Sequence, residues 1–309
     1  MKTTSILALV AALPLAAGSG EAKRDGACHA TAKAAKEACG FEAKEELWIA
    51  LGNCANEPDS DARKECKSSA RDGLAEAKDE CGEQFEGRQD FCEAVGEEPY
   101  DPTIDPSAFL SPEATAANPN PYLPLVVGTT WVYEGPGETI TVTVTDRTKE
   151  ILGVTTIVVR DVVEDDDGNS VEDTDDYFAQ HSDGTVWYFG EISKNFEDGE
   201  LVDIEGSWTA GVDGAKPGIV MPAAPAVGDI YRQEFALGEA EDGGEVLSIT
   251  ATESVPGGSC SGTCVVTRDF NLLEPGGEEN KTYAPGIGLI LEVDLESGDR
   301  VELVSVSTD

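Results

Sequence analysis

Cys54-Ala55-Asn56-Glu57-Pro58-Asp59-Ser60-Asp61-Ala62-Arg63-Lys64-Glu65-Cys66 is the stretch from which the first part of the fold can be read. Its two cysteines are equidistant from Ser60. Moving outward, so are Cys39 and Cys81, and then Cys28 and Cys92. The successive spacings of 11, 15, 12, 15 and 11 positions read the same in both directions. Two antiparallel helices joined by a tight turn at Pro58 need that symmetry to carry nested disulfides. The spacing therefore predicts Cys28–Cys92, Cys39–Cys81 and Cys54–Cys66 from the roughly 15 pairings that six cysteines allow.

A step of 11 is close to three helical turns and a step of 15 slightly more than four, so the cysteines of each arm fall along one stripe. Between them the stripe holds Ala32, Ala35, Ala43, Leu47 and Ala50 on the first arm. The second arm has Ala70, Gly73, Ala77, Phe85 and Arg88. A disulfide needs Cα atoms within about 4.4–6.8 Å, closer than the roughly 8–10 Å between ordinary packed helix axes. Small seam residues allow that approach. Asp25 is the expected N-cap of a helix reaching about Asn56, and Asp59 or Ser60 caps a second reaching about Val95. Gly40, Gly52, Gly73, Gly82 and Gly87 weaken both helices by about 1 kcal/mol each relative to alanine. The reduced hairpin is accordingly expected to be largely unfolded. Metal binding by these cysteines is the poorer reading, since no Cys-x2-Cys pair is present and His29 is the nearest histidine. Phe41, Trp48 and Leu51 share a face off the seam, with Leu74 and Phe91 joining them from the second helix, and that face is expected to dock on the rest of the protein.

The layout resembles the twin-cysteine helical hairpins of the coiled-coil-helix-coiled-coil-helix class in its spacing logic. It implies nested bridges between antiparallel helices and no particular function.

Residues 1–22 read as a secretory signal: Lys2, an apolar stretch from Ile6 to Leu15, and small residues Ala16-Ala17-Gly18-Ser19, with cleavage between Ala17 and Ala22. No later segment is apolar enough for a transmembrane span. Export, to a secreted or periplasmic location, fits an even number of cysteines. The chain holds 21 basic and 61 acidic residues, a net charge of −40. From Asn120 onward there are 9 basic and 38 acidic, against 12 and 23 before it. Such a surface repels nucleic acid and anionic lipid. It leaves a basic protein partner, a cation or a small apolar ligand as candidate partners.

Residues 23–96 thus read as the hairpin, 97–124 as a proline-rich linker, and 125–309 as an acidic antiparallel β domain. The fold class is α+β, the second part a β meander forming a half-barrel or open barrel. Thr139-Ile140-Thr141-Val142-Thr143-Val144-Thr145 alternates with period two. Further strands are expected over 130–134, 151–163, 171–180, 185–190, 201–208, 230–235, 246–252, 264–271, 279–283, 288–295 and 300–306. Asp167-Gly168, Asp183-Gly184, Asp198-Gly199, Gly276-Gly277 and Ser297-Gly298 mark the turns. The segment Pro217–Gly228 reads as an apolar loop.

Gly128-Thr129-Thr130-Trp131-Val132-Tyr133-Glu134 and Tyr283-Ala284-Pro285-Gly286-Ile287-Gly288-Leu289-Ile290-Leu291-Glu292 resemble the opening and late strands of an uncharacterised class of exported bacterial proteins. The second motif is also similar to one in lipoprotein-carrier-type half-barrels. That likeness implies a sheet curled around an apolar ligand.

Three sets of residues are candidate sites. Asp165, Asp167, Asp173 and Asp175 lie in the densest acidic run, where carboxylates converging across a hairpin would suit Ca²⁺. Trp131, Tyr133, Trp187 and Tyr231 are candidates to line a ligand cavity in a curved sheet. Cys260 and Cys264 are expected to close a fourth disulfide. With His29 and His181 the only histidines and no nucleophile, metalloprotease or phosphate-loop motif, no enzymatic activity and no cofactor is expected. The leading functional expectation is an exported binding or surface-interaction protein of the cell envelope. A half-barrel carrier of an apolar ligand and a divalent-cation binder are the alternatives.

Overall fold

The computed structural model describes residues 26–308. The expected signal segment and the cap assigned to Asp25 lie outside the described residues. Helix α1 (Ala27–Ala55) and helix α2 (Ser60–Val95) form the antiparallel hairpin. Asp59 caps α2, its carboxylate accepting from the Asp61 and Ala62 amides. The start of α1 has no side-chain cap; the Ala27 N–H donates instead to the Glu97 carbonyl at 2.9 Å. Disulfides join Cys28–Cys92, Cys39–Cys81 and Cys54–Cys66 across Cα separations of 5.6, 5.8 and 5.6 Å. Ala32, Ala35 and Ala43 are buried in the seam.

Of the expected docking face, Phe91 meets the barrel, but the first-helix residues Phe41 and Trp48 do not and are 65% and 71% exposed. The contact comes from α2 instead, where Gln84, Arg88 and Phe91 recur at helical steps on one stripe. Arg88 makes a buried two-pronged ion pair with Glu241, Nη2–Oε1 2.7 Å and Nε–Oε2 2.9 Å. Gln84 donates to the Leu273 carbonyl. Phe91 meets Phe270 edge-on at 5.4 Å, and the Arg232 guanidinium lies 4.6 Å from the Phe91 ring centre.

A connector follows, with a 3-10 turn at Pro106–Ala108 and a short helix α3 (Pro112–Ala117). It lies along the sheet, with Ile104 and Phe109 against an outer apolar cluster. The Leu110 N–H donates to the Gln180 carbonyl.

The remainder is one antiparallel sheet of 16 strands: β1 (Thr129–Gly135), β2 (Glu138–Ile151), β3 (Val154–Asp165), β4 (Ser170–Gln180), β5 (Val186–Ile192), β6 (Asn195–Glu197), β7 (Glu200–Asp203), β8 (Trp208–Thr209), β9 (Lys216–Met221), β10 (Ile230–Arg232), β11 (Glu234–Phe235), β12 (Asp242–Val255), β13 (Gly258–Asn271), β14 (Glu278–Ala284), β15 (Gly288–Asp294) and β16 (Arg300–Thr308). Two expectations are corrected. Ile151 ends β2 rather than opening a strand, because Leu152 and Gly153 adopt positive φ (51° and 80°) and turn the chain, as two-residue hairpins require. Lys216–Met221, read as part of a loop, is a strand pairing with β5 and β11.

That strand helps close the barrel. β10 pairs with β12 while β11, two residues on, pairs with β9. The intervening Gln233 N–H donates to Asp242. A single short segment therefore joins the two ends of the meander. Gly218 of β9 makes this possible, because a Cβ there would lie 2.1 Å from the Gln233 carbonyl oxygen.

The barrel interior is divided by its two ends. At one end Trp131, Val144, Ile157, Val186, Val265 and Leu303 form a closed apolar core. The segment 120–127 covers it: Leu125 is buried in that core, and Asn120 donates to the Gly184 and Pro222 carbonyls. The opposite end carries the β1–β2, β3–β4, β13–β14 and β15–β16 turns, and its interior is polar.

Candidate functional site

Register shows how the polar interior arises. On β3, Ile157, Val159, Asp161 and Val163 are alternate residues. Asp161 lies opposite Val142 of β2 and Thr174 of β4, so it points inward in phase with apolar neighbours. The same phase turns Glu172, Thr174 and Asp176 inward on β4, opposite Val163, Asp161 and Val159. Glu191 of β5 faces Asp176. From the other wall come Asp269 of β13, Glu279 and Lys281 of β14, and Glu292 of β15, joined by the register pairs Asp269–Glu279 and Lys281–Glu292. Asp242 of β12 enters beside the strand switch.

These groups share one space. Asp161 is separated from β15 along the sheet by β2, β1 and β16, yet its carboxyl is influenced by Glu292 and Lys281. That interaction crosses the interior. Asp176, Glu191, Asp242 and Lys281 each keep partial exposure, while burial is the largest influence on their ionisation. The side chains are thus largely enclosed by protein, with part of each reaching solvent. An open pocket of about 240 Å³ lies at the rim of this end, lined by Glu138, Glu279, Glu292 and Asp294 among others and not by Asp161, Asp242 or Tyr231.

Burial pushes the Asp161 carboxyl up to about 7, reinforced by Glu172, Glu292 and Glu191 and opposed by Lys281. Burial likewise raises Asp242 to about 7, with Lys281 opposing and Asp269, Glu191 and Glu279 adding to it. Asp176 and Glu191 are raised by burial. Both approach one phenol: Tyr188 Oη lies 2.5 Å from Asp176 Oδ1 and 2.7 Å from Glu191 Oε2. A phenol has one proton to donate, so if both contacts are hydrogen bonds, one carboxyl must carry a proton of its own. Burial acts to lower Lys281, but Glu292, Asp269 and Glu279 outweigh it and hold the ammonium well above its usual range. Its Nζ lies 3.3, 3.4 and 3.6 Å from Glu279, Glu292 and Asp269.

The expected calcium set is not gathered. Asp165 caps the β3–β4 turn, accepting from the Asp167 and Asn169 amides at 2.9 and 2.8 Å, and hydrogen bonds from Asn169 lower its pKa. Asp167 is exposed at the tip. Asp173 and Asp175 point to the outer face, where Arg160 and Arg147 hold them. Among the described residues no three His, Cys, Asp or Glu side chains form a metal-holding group. Alternation is the reason: β4 sends Asp173 and Asp175 out and Glu172 and Asp176 in.

Of the proposed cavity aromatics, Trp131, Tyr133 and Tyr231 share the inner cluster, but Trp187 faces outward against Phe109. Trp131 Nε1 and Tyr133 Oη donate to the Ile287 and Leu289 carbonyls, so these rings are wall and packing. Cys260 and Cys264 are bridged within β13. Sequence reasoning missed Asp161, Asp176, Glu191, Asp242 and Lys281. The available clue was phase: Asp161 alternates with Ile157 and Val159, Asp176 with Phe178, and Lys281 with Tyr283.

No protein-family model matches the chain, and no curated protein matches it. A solved structure from Bacteroides fragilis NCTC 9343, described as exported and as having a YmcC-like fold, aligns over 60% of this chain and 99% of its own, at 14% identity and a TM-score of 0.37. A fold-level likeness that weak leaves the functional reading to the site.

Proposed function

We propose that this is an exported, non-enzymatic binding protein of the cell envelope whose ligand chamber is the acid-lined end of the barrel. One observation carries the reading: Asp161 Oδ1, Asp242 Oδ1 and Tyr231 Oη are shut off from solvent and have no hydrogen-bond partner. Buried polar atoms are nearly always satisfied, and a ligand or ordered water supplies what the chain does not. The bridged cysteines support export, and no helix among the described residues is long and apolar enough to cross a membrane. The reading favours a polar ligand over an apolar one, because the apolar end is filled by its own side chains. It also favours binding over catalysis. The Asp176–Glu191 pair is tied to Tyr188, and an ammonium held charged by three carboxylates is a poor nucleophile.

Native mass spectrometry of protein recovered from its export compartment tests this. A co-purifying small polar molecule, lost on mild acidification, supports it; a lipid-like adduct would restore the apolar carrier. The exposed Phe41, Trp48 and Ile49 of the hairpin favour a second reading, in which the hairpin contacts a protein partner. A pulldown weakened by Trp48→Ser supports that.

A further inference from the structure

We infer that the chamber takes a small organic cation bearing ammonium groups, and that this cation displaces protons from the chamber wall. The inference rests on the chamber being a binding site, and it adds the chemistry of the ligand.

The first argument is a donor count. The donors that serve the interior carboxyls are committed. Gln233 Nε2 and Thr267 Oγ1 donate to Asp269 at 2.9 and 2.6 Å. Thr174 Oγ1 donates to Glu172 at 2.6 Å. Trp208 Nε1 donates to Glu234 at 3.1 Å, and Tyr188 Oη, with one proton, donates to one of Asp176 and Glu191 and accepts from the other. Lys281 is shared by Asp269, Glu279 and Glu292. What remains over is two carboxyl acceptors, Asp161 Oδ1 and Asp242 Oδ1, and one phenol, Tyr231 Oη, which can donate or accept and belongs to a residue only 9% exposed. An ionised carboxylate only accepts. A ligand that completes this site therefore brings donors and positive charge.

Lys281 shows the kind of group the wall accommodates, an ammonium among three carboxylates within 3.6 Å. A compact divalent ion suits the wall less well. Calcium needs roughly six to eight oxygens at about 2.3–2.6 Å, and no three acidic side chains among the described residues converge in that way. Carboxyls spread over several strands match a cation whose donors are spread along a short chain. Acidic groups at the 240 Å³ rim pocket focus a negative potential where such a cation would enter.

Proton exchange follows from the same walls. Asp161 faces Glu172 and Asp176 of β4, Glu191 of β5, Lys281 of β14, Glu292 of β15 and Tyr133 of β1. Asp242 faces Lys281 and Glu279 of β14, Asp269 of β13, Glu191 of β5 and Glu234 of β11. All but Lys281 and the tyrosine are acidic, so each carboxyl keeps its proton to a higher pH than a free aspartate does, and a cation that pairs with it competes with that proton. With midpoints of about 7, requiring one ionised carboxyl weakens binding about tenfold between pH 8 and pH 6, and requiring both weakens it about a hundredfold.

The test is isothermal titration of the full oxidised protein with 1,4-diaminobutane in 150 mM NaCl, at pH 8 and pH 6, in two buffers of different ionisation heat. The expected result is saturable binding at pH 8 with little proton release, and binding at least tenfold weaker at pH 6 with proton release on binding. Asp161→Asn and Asp242→Asn weaken binding at pH 8 by tenfold or more, while Asp167→Asn at the exposed tip does not. If a variant fails to fold, the wild-type pH dependence and proton release still decide. Equal affinity at pH 6 and pH 8, or Ca²⁺ displacing the diamine at equal concentration, overturns the inference. So does binding lost in 150 mM NaCl, the mark of surface attraction. If a neutral solute binds and the diamine does not, the binding-protein reading stands and this inference falls. If nothing binds, both fall.

Discussion

Asp161→Asn should make the protein more stable at pH 8 and leave it nearly unchanged at pH 4.5. A free aspartate loses its proton near 3.8, whereas Asp161 keeps its proton to about 7. Between those values the folded state holds a proton that the unfolded chain has released. Stability from this group is therefore complete below about pH 4 and is lost as pH rises through about 7. The shift corresponds to about 4 kcal/mol at about 1.4 kcal/mol per pH unit. Water in the partly hydrated interior screens the charge and brings the expected loss nearer 2 kcal/mol. Asparagine keeps the shape of the carboxyl without the charge, so at pH 8 it recovers about 2 kcal/mol. For a domain of this size that is about 4–8 °C in Tm. The assay is a pair of thermal melts, wild type against variant, at pH 4.5 and pH 8 with ionic strength matched. A variant equal to wild type at both pH values, or less stable at pH 8, would refute an inward, poorly solvated Asp161.

Four further outcomes are expected. Arg88→Met leaves Glu241 buried without its partner and costs about 3–5 kcal/mol; adding Glu241→Gln restores much of it, by urea denaturation. Strong reductant should remove most of the helical circular dichroism at 222 nm while the β signal persists, since each bridge supplies about 2–4 kcal/mol to helices with an alanine seam. Gly52→Ala and Gly73→Ala should each stabilise by about 1 kcal/mol, seen as a higher Tm, because an added Cβ meets no atom within 4 Å. Millimolar Ca²⁺ should raise Tm no more than a monovalent salt of equal ionic strength, because Arg160 and Arg147 already neutralise Asp173 and Asp175.

The hairpin was legible because its information is local arithmetic: equal cysteine intervals about Ser60, small residues between them, and an aspartate at the turn. The meander was legible from period two and glycine turns. Closure of the barrel was not, since it depends on residues 230–235 changing partners and on Gly218 yielding space to Gln233. Nothing near either residue in the chain announces the other. The first-helix part of the docking face was misread for a related reason. Phe41 and Trp48 look like a buried stripe by hydropathy, but the disulfides fix how the hairpin turns. The surface meeting the barrel is then set by Arg88, which looks like a solvent residue until Glu241 is placed opposite it. The candidate site was half legible. The carboxyls expected to work together were those densest in sequence, and alternation sends half of a dense strand outward. The ones that converge are scattered, one or two per strand, each in phase with apolar residues.

This phase changes what the charge of −40 means. A surface carboxylate adds to solubility and costs folding little. An interior one, such as Asp161 or Asp242 with a midpoint of about 7, is about half protonated at neutral pH, so the working charge is less negative than the formal one. Residues that lower stability at neutral and alkaline pH therefore stand inside the barrel. A stability cost of that kind is what a site whose activity opposes its stability carries. The rest of the molecule is built to tolerate it. The far end of the barrel is apolar and capped by residues 120–127, and the hairpin beside the acidic end holds its fold through covalent bridges. A cation that enters the chamber would remove the conflict by letting the wall ionise without isolated charge. Ligand and proton then compete for the same oxygens, and the pH at which the apo barrel has finished losing the stability these carboxyls supply, about 7, should coincide with the pH above which the cation binds tightly.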